Sequence, residues 1–283
     1  MNLQIPKKAA VINSFAGYGR CSLTEALPIL SAMRVQACPV PTAVFSNHTG
    51  FTAFACQDLT AFLPSYLEQW KQLNLTFDGV LCGFLGQAEQ ILSVSSFLSD
   101  QKSRGCQTIL VDPVMGDGGK LYAHFDFHFV EKMRVLCEEA DFILPNVTEA
   151  CLLAGENYPL SIERLPAEKI VGILRSPHTC PIVTGVEEGE ENAVYYGEAN
   201  GVSRYALPHA KGFFHGAGDV FAAAFTGCLA RGKSKKKAIE LAANFTTAAI
   251  FRTAKAGGDS RYGLLFEEEI FNFLKELAED EKE

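Results

Sequence analysis

The apolar residues of this chain alternate between two kinds of segment, and this alternation constrains the fold more than any other feature. Short runs hold a compact apolar centre between polar or turn residues, as buried parallel strands do; they are AAVINSF, ACPVPTAVFS, DGVLCGFLG, QTILVDPVMG, DFILPN and CPIVTGV. Longer segments carry apolar residues at helical spacing; they are DLTAFLPSYLEQWKQLN, QAEQILSVSSFLSDQKSRG and HFVEKMRVLCEEA. The alternation predicts an α/β fold in which helices cover both faces of a mostly parallel sheet. Ligands should bind outside the carboxyl ends of its strands.

The rest of the chain completes this prediction. Residues 192–208, NAVYYGEANGVSRYALP, contain two alternating runs around a Gly/Asn segment, a pattern typical of a β-hairpin. The last third predicts helices in GDVFAAAFTGCLARG, SKKKAIELAANFTTAAIFRTA and EEEIFNFLKELAEDEKE, the last with a solvated face and a frayed acidic tail. No internal repeat or linker interrupts the pattern, so we expect one domain over residues 1–283.

Composition and charge limit the partners. With 283 residues and 48% hydrophobic content the chain can bury a substantial core. A net charge of −8 argues against nucleic-acid or anionic-membrane binding, so a phosphate ligand must be held by local backbone and dipole effects. The start of the chain, MNLQIPKKAAVINSF, lacks the apolar run of a signal peptide. The nine cysteines include no C-x-x-C pair and are read as buried thiols. We therefore expect a cytoplasmic protein with small-molecule ligands.

The segment HGAGDVF places two glycines and an aspartate directly before an apolar helix. Gly216 and Gly218 allow consecutive N–H groups to point into one concavity, and the helix from Val220 adds its positive dipole end. Such a site suits an anion such as phosphate. For Asp219 a simpler interpretation is a helix N-cap bonded to its own first turn. The cap does not explain the paired glycines, and the two interpretations stay open.

Two further strand ends carry acidic or amide side chains. VDPVMGDGG ends a strand with Asp112 and continues into a glycine-rich loop that holds Asp117 and Gly118. LPNVTEACLL places Asn146 and Glu149 just after another strand, with Thr148 as a candidate cap. Carboxylates near a phosphate site are what a Mg²⁺–nucleotide enzyme needs. Ordinary turns and a capping box are the alternatives, but loops that follow parallel strands converge in space, which favours a site.

The first two strands end in NSFAGYG and VFSNHTGF. Their polar groups Ser14, His48 and Thr49 could hydrogen-bond an uncharged ligand flanked by phenylalanines. The histidines lack metal-ligand spacing, so we expect no structural zinc. The chain has no G-x-x-x-x-G-K-[ST] motif, which excludes a P-loop.

Together these segments resemble the pyridoxal (vitamin B6) kinase family of the ribokinase-like superfamily. The similarity runs from NSFAGYGRCSLTEALPIL through FSNHTGF, VLCGFLGQAEQI, VDPVMGDGGKLY and ILPNVTEACLL to HGAGDVFAAAF. FSNHTGF is its most specific part. The resemblance implies a ribokinase-like three-layer α/β/α sandwich and an enzyme that uses ATP and Mg²⁺ to phosphorylate the 5′-hydroxymethyl group of a B6 vitamer. A monovalent cation such as K⁺ is a candidate further cofactor, and the resemblance also implies a homodimer.

The same resemblance implies a role for each matching residue. Asp219 resembles the catalytic base, and Gly216, Ala217 and Gly218 resemble the anion hole for the transferred phosphoryl group. Substrate contacts are implied for Ser14, Thr49, Gly50, Phe84 and Asp219. Nucleotide contacts are implied for Asp112, Asn146, Glu149, Thr184, Arg204, Tyr205, Ala206 and Leu207. Asp112 and Glu149 resemble the Mg²⁺ ligands, partly through water, and Asp117 and Gly118 lie in a segment that resembles the active-site loop.

The chain departs from the family pattern at three places. Phe84 stands where many members have tyrosine, Phe214 and His215 precede the glycines where hydroxyl residues are common, and no lysine is aligned for Schiff-base capture of an aldehyde. Two other functions remain open. One is a hydroxymethylpyrimidine kinase of thiamine biosynthesis, which FSNHTGF argues against. The other is a non-catalytic B6-vitamer reservoir, which an intact Asp219 argues against.

Overall fold

The computed structural model describes residues 5–156, 167–210 and 212–279. Its strands are β1 (Lys7–Ala16), β2 (Val35–Phe45), β3 (Cys56–Asp58), β4 (Gly79–Cys82), β5 (Ile109–Val111), β6 (Gly116–Asp117), β7 (Lys120–Leu121), β8 (Phe142–Ile143), β9 (Cys180–Glu188), β10 (Glu191–Glu198) and β11 (Gly201–Pro208). Its helices are α1 (Leu23–Ala32), α2 (Leu63–Gln72), α3 (Ala88–Ser103), α4 (Phe127–Glu138), α5 (Val147–Ala154), α6 (Ala167–Leu174), α7 (Ala217–Ala230), α8 (Lys235–Ala256) and α9 (Ile270–Glu279). The acidic tail predicted to fray ends outside the described residues.

Across the described part of the chain, one nine-stranded sheet has the order β11-β10-β9-β8-β5-β4-β1-β2-β3. All pairs from β9 to β2 are parallel, and antiparallel pairs occur only toward the two edges. The predicted hairpin over residues 192–208 is β10 and β11. The mostly parallel central sheet predicted from the sequence is confirmed.

Side chains alternate between the two faces of the sheet, and each face has its own helical layer. In β1, Ala9 and Val11 pack with buried residues of α1, α7, α8 and α9. The intervening Ala10 and Ile12 pack with buried residues of α2, α3 and α4. Because successive side chains of a strand point to opposite faces, one apolar strand supplies both cores. This arrangement is the predicted three-layer sandwich.

Some elements are not evident from the sequence. Helix α1 contains Pro28, which cannot donate to the carbonyl four residues earlier and weakens the helical pattern. Helix α5 begins at Val147, within the segment LPNVTEACLL where a capping box is one of the predicted alternatives, whereas α6 and the short strand β3 have no clear pattern. Helix α7 begins at Ala217, three residues before the predicted Val220.

Backbone hydrogen bonds continue past the strands and draw their following loops together. Gly83 N donates to Ile12 O at 2.8 Å, and Asp112 N donates to Cys82 O at 2.8 Å. Leu144 N donates in turn to Val111 O at 3.0 Å. The parallel register thus fixes the starts of these loops at one edge of the sheet.

Candidate active site

The loops after the parallel strands enclose a cavity of about 760 Å³. Most residues implied by the sequence line it, namely Ser14, Thr49, Gly50, Phe84, Asp112, Asp117, Gly118, Asn146, Glu149, Thr184, Leu207, Gly216, Ala217, Gly218 and Asp219. The structure therefore brings together side chains separated by up to about two hundred residues of sequence, as expected for the carboxyl ends of parallel strands.

The HGAGD segment forms the start of α7. Gly216 is the N-cap and has a φ of 82°, a left-handed conformation that favours glycine. A Cβ at Gly216 would lie 2.5 Å from both carboxylate oxygens of Glu25, so the space also requires glycine. The first N–H groups of a helix lack intrahelical partners and the helix dipole adds positive potential, which makes this end of α7 suited to an anion.

Asp219 lies in the first turn of α7 but does not cap it. The helix has no side-chain cap, so the alternative of Asp219 as an N-cap is wrong, because Gly216 already occupies that position. The carboxylate instead accepts hydrogen bonds from Asn13 Nδ2, at 3.0 Å, and from the N–H of Ser22. Burial raises the pKa of Asp219, and these two hydrogen bonds oppose the rise. A carboxylate held in this way can act as a base toward a group in the cavity.

Asp112 follows β5 and is 7% exposed. Its carboxylate faces the start of α7, since a Cβ on Gly218 would lie 3.6 Å from Asp112 Oδ2. Burial, followed by the negative charges of Glu149 and Asp219, raises the pKa of Asp112 well above its usual range. A cation near Asp112 would offset this repulsion.

Asn146 and Glu149 form a capping box at the start of α5. Asn146 Oδ1 accepts from the N–H of Glu149, and Glu149 Oε2 accepts from the N–H of Asn146, each at 2.9 Å. Glu149 Oε1 also accepts from Met115 N at 3.0 Å. Burial raises the pKa of Glu149 to about 8 despite these bonds. The cap is Asn146 rather than Thr148, and both carboxylate oxygens of Glu149 already accept backbone hydrogen bonds.

The glycine-rich segment after Asp112 is a small β-hairpin, β6–β7, that borders the cavity. It is tied to the start of α5 at three points, the longest of which is the bond from Gly116 N to Glu149 Oε1 at 3.5 Å. Asn146 Nδ2 donates to Gly116 O at 2.8 Å, and Gly119 N donates to Thr148 Oγ1 at 2.9 Å. The turn that the sequence predicts at Asp117 and Gly118 is present, and both residues line the cavity.

Aromatic rings line another part of the cavity. The Phe84 ring lies 6.0 Å from Phe45 and 6.1 Å from His124, between ring centroids. Ser14 is buried, and its hydroxyl donates to Ser22 Oγ at 3.0 Å. A flat heterocycle with one or two polar groups would suit such surroundings.

Two histidines meet beside the anion-binding end of α7. The rings of His48 and His215 lie 4.7 Å apart between centroids. His48 Nε2 contacts Arg261 O, and His48 Nδ1 accepts from Gly50 N at 3.1 Å. Burial and then the neighbouring His48 lower the pKa of His215 to about 4. His215 is therefore neutral at physiological pH, and it contributes no positive charge to the anion site.

Comparison with known proteins identifies the family. A sequence profile of the family described as phosphomethylpyrimidine kinase matches residues 27–263. The chain belongs to this family. A Bacteroides thetaiotaomicron protein, provisionally described as a phosphomethylpyrimidine kinase and crystallised with pyridoxal, shares 36% identity at a TM-score of 0.88, covering 95% of this chain and 96% of that one.

Other proteins with similar sequences are named as pyridoxal kinases. The Lactobacillus plantarum pyridoxal kinase has a TM-score of 0.89 and 29% identity, over 95% of this chain and 97% of its own. Pyridoxal kinase PdxY of Deinococcus radiodurans is 25% identical over 269 residues, which is 89% of each chain. The resemblance to pyridoxal kinases of the ribokinase-like superfamily is confirmed.

The β10–β11 hairpin of this family member lines the cavity mainly with residues other than those that the sequence implies, namely Asn192, Ala193 and Val194 of β10. Of the four residues assigned there, only Leu207 lines the cavity. Arg204 lies on the exposed face of β11 and binds Glu188 and Glu191, while Tyr205 donates to Asn244 Oδ1 at 2.9 Å. Ala206 shares the exposed face of Arg204, as strand alternation requires. Arg204, Tyr205 and Ala206 thus lie outside the cavity.

Several residues at the site are absent from the sequence-based assignment. Asn13 bonds to Asp219, Glu25 lies against Gly216, and Tyr122 and His124 line the cavity. Asn13 does occur in the quoted NSFAGYG segment, but an asparagine inside a strand carries no distinctive signal. Glu25 lies in the unpredicted helix α1, so no spacing argument could place it at the site.

The donor set of this family member fits Mg²⁺ rather than a protein-only metal cage. Within residues 5–156, 167–210 and 212–279, no cluster of three or more His, Cys, Asp or Glu side chains could hold a metal ion. Mg²⁺ typically binds one or two carboxylates together with phosphate oxygens and water. Asp112, buried and facing the N-terminal end of α7, is a carboxylate that fits this pattern. No helix in the described part of the chain is long and apolar enough to span a bilayer.

Proposed function

We propose that this protein is an ATP- and Mg²⁺-dependent kinase that phosphorylates the 5′-hydroxymethyl group of a B6 vitamer, whether pyridoxal, pyridoxine or pyridoxamine. The observation that carries the proposal is the carboxylate of Asp219, held by Asn13 and Ser22 beside the anion-binding end of α7. Family membership and the similarity to named pyridoxal kinases support it. The 5′-phosphate would enter a salvage route to pyridoxal 5′-phosphate.

In the proposed reaction Asp219 accepts the proton of the substrate hydroxyl as the hydroxyl oxygen bonds to the γ-phosphorus. The bond from that phosphorus to the β,γ-bridging oxygen breaks, and ADP leaves with the electron pair. The N–H groups of Gly216, Ala217 and Gly218 stabilise the charge on the transferred group. Phosphoryl transfer depends mainly on positioning and charge neutralisation, so no covalent enzyme intermediate is needed.

For the other lining residues we propose the roles that the family resemblance implies. Asp112 would hold Mg²⁺ directly and Glu149 through water, and the ion would neutralise phosphate charge. Ser14, Thr49, Gly50 and Phe84 would contact the heterocycle. On the nucleotide side we keep Asn146, Thr184 and Leu207, with Asp117 and Gly118 in the neighbouring active-site loop. Arg204, Tyr205 and Ala206 would serve only as support for that side.

Hydroxymethylpyrimidine phosphorylation is the second candidate function. It is favoured by the description of the matching family, phosphomethylpyrimidine kinase. Both substrates carry a hydroxymethyl group on a six-membered nitrogen heterocycle, so the same base and anion site would serve either. A non-catalytic B6-binding protein would need no positioned base, which makes it the weakest of the three.

The test is ADP release with pyridoxal, pyridoxine, pyridoxamine and hydroxymethylpyrimidine supplied separately. We expect vitamer-dependent ADP release well above background. Release with the pyrimidine alone would select the second candidate, and release with none would reject a kinase.

Asp219→Ala should abolish turnover while nucleotide binding survives, because the base acts in the chemical step. Asp78→Asn is the matched control, since Asp78 pairs with Lys7 at the amino end of β1, away from the cavity. Turnover retained in Asp219→Ala would exclude Asp219 as the base.

Four further points belong to the same proposal. A single kinase domain agrees with one sheet that draws strands from Lys7 to Pro208. A cytoplasmic location agrees with nine cysteines that are all free. A homodimer and dependence on a monovalent cation such as K⁺ follow from the family resemblance alone. Light scattering of the purified protein, and assays with and without K⁺, test the last two.

A further inference from the structure

Asn13 occupies a position in which its side-chain amide has only one orientation that satisfies its neighbours. It lies near the end of β1, is 2% exposed, and is followed by a register irregularity between β1 and β2. Its Oδ1 accepts two backbone hydrogen bonds, from Ser14 N at 2.8 Å and from Phe84 N at 3.0 Å. Because an amide has one accepting oxygen and one donating nitrogen, these two donors direct Nδ2 the other way.

The nitrogen that remains points at the predicted base. Asn13 Nδ2 donates to Asp219 Oδ1 at 3.0 Å. A Cβ at Gly83 would lie 2.4 Å from Nδ2, so the glycine leaves only enough room for the amide. Three separate parts of the chain, β1, the loop after β4 and α7, therefore meet through one side chain.

We propose that Asn13 is a positioning residue that fixes the carboxylate of Asp219 for proton abstraction from the substrate hydroxyl. This inference rests on the proposed kinase function. The backbone donors of Ser14 and Phe84 anchor the amide, and the amide in turn orients the base. A hydrogen bond from a neutral donor to an ionised carboxylate stabilises the ionised form, which is the form that accepts a proton.

An acidic residue could not replace Asn13. Aspartate would keep the acceptor for Ser14 N and Phe84 N but would present an oxygen, not a donor, to Asp219. Two adjacent carboxylates share a proton, and a base that shares a proton is a weaker base. The carboxylates of Glu25 and Asp112 already surround this region, so a further negative charge would find little compensation.

The first test is the steady-state kinetics of Asn13→Asp with the preferred vitamer. Loss of a hydrogen bond to a charged group corresponds to about a 10- to 100-fold effect, and we expect kcat to fall by that factor. KM for the vitamer should change less than about threefold, because Asn13 orients the base rather than the substrate. An unchanged kcat in an active preparation would overturn the inference.

The second test exchanges donor and acceptor and is independent of activity. Asn13→Asp should lower the thermal midpoint, and adding Asp219→Asn should restore at least half of the loss, because the amide introduced by the second change can donate to the carboxylate introduced by the first. Should Asn13→Asp fail to fold, the double variant is still expected to fold. Strictly additive losses would show that the two side chains do not interact, and would overturn the inference even if kinase activity proved absent.

Gln101→Glu provides the control for both tests. Gln101 is also 2% exposed and donates to Leu75 O at 3.1 Å from its place in α3, outside the cavity. The same amide-to-acid change should therefore lower thermal stability without altering the ratio of kcat to KM. Wild-type protein without vitamer-dependent ADP release would contradict the kinase proposal itself, whereas active wild type with a normal Asn13→Asp variant contradicts only the role of Asn13.

Discussion

Glu25 is an acidic residue in a fully buried position. It is 0% exposed in α1, and apart from a backbone contact with Leu264 neither carboxylate oxygen has a hydrogen-bond partner in the described structure. Burial, followed by the charge of Asp219, raises the pKa of Glu25 well above its usual range. An acid whose pKa is higher in the folded protein contributes most stability below its unfolded pKa and loses that contribution as pH rises through the folded pKa.

We therefore expect Glu25→Gln to remove the contribution of Glu25 to the pH dependence of the unfolding free energy. The variant cannot ionise, so its stability relative to wild type should increase as pH rises from about 5 to 8. At pH 8 the gain should be about 1–3 kcal/mol, because an unpaired buried charge costs more free energy than a neutral amide in the same place. Urea denaturation at several pH values measures it. The exposed Glu89→Gln is the control, and a parallel response of both variants would contradict the prediction.

At the level of elements, the start of α7 depends on Gly216 for its conformation and on Gly218 for the space beside Asp112. In Gly216→Ala the alanine would have to adopt a left-handed φ, and its Cβ would clash with the Glu25 carboxylate. We therefore expect a loss of about 1–3 kcal/mol in unfolding free energy. Gly257 caps α8 with a φ of 67° but has open space around it. Gly257→Ala should cost less, and the difference between the two thermal midpoints reports the contact with Glu25. Equal losses would show that only φ matters.

Gly218→Ala should affect binding rather than folding. Its φ is not left-handed, and the added Cβ would meet only Asp112 Oδ2, at an ordinary 3.6 Å. The methyl group would, however, occupy the space between Asp112 and the anion-binding N–H groups. We expect a higher KM for MgATP with a nearly unchanged thermal midpoint. A normal KM would place the phosphates elsewhere in the cavity.

The capping box links a second element to the cavity. Asn146→Ala removes the cap of α5 and the bond to Gly116 O, which should cost about 1–2 kcal/mol. The β6–β7 hairpin should then exchange its amide hydrogens faster than in wild type. Hydrogen exchange measured by mass spectrometry checks this. Unchanged exchange over residues 116–121 would mean that the hairpin does not depend on α5.

At the level of the whole molecule, the alternating pattern predicts the sheet, both helical layers and the location of the site. Apolar periodicity reports burial, and burial determines layers, so this part is accessible from sequence. Because Pro28 interrupts the helical pattern, the sequence does not predict α1 or the position of Glu25 in it. The hairpin that contains Arg204 is predicted correctly. Because side chains alternate along a strand, Arg204 nevertheless points away from the cavity. The partner of Asp219 was inaccessible for another reason: the contact with Asn13 spans 206 residues and depends on three-dimensional packing.

Ligand binding should stabilise the whole fold through the Asp112 site. MgADP should raise the thermal midpoint with increasing concentration. At one hundred times its dissociation constant, the unfolding free energy should rise by about 2.7 kcal/mol. Excess EDTA should remove most of this gain, and so should Asp112→Asn. Asp78→Asn serves again as the control. A gain unaffected by EDTA would exclude Mg²⁺ as part of the nucleotide site.

Helix α7 lies within the core almost along its whole length, from Val220 to Ala230. The first turn of α7, where we propose that the anion binds, therefore cannot move without disturbing the layer behind it. The β6–β7 hairpin, in contrast, is held to α5 by a few hydrogen bonds at the cavity rim. When substrates bind, Asp219, the proposed base, should stay in place, and the adjustment to substrates of different size should come from the rim. Superpositions of ligand complexes on α7 would display that division directly.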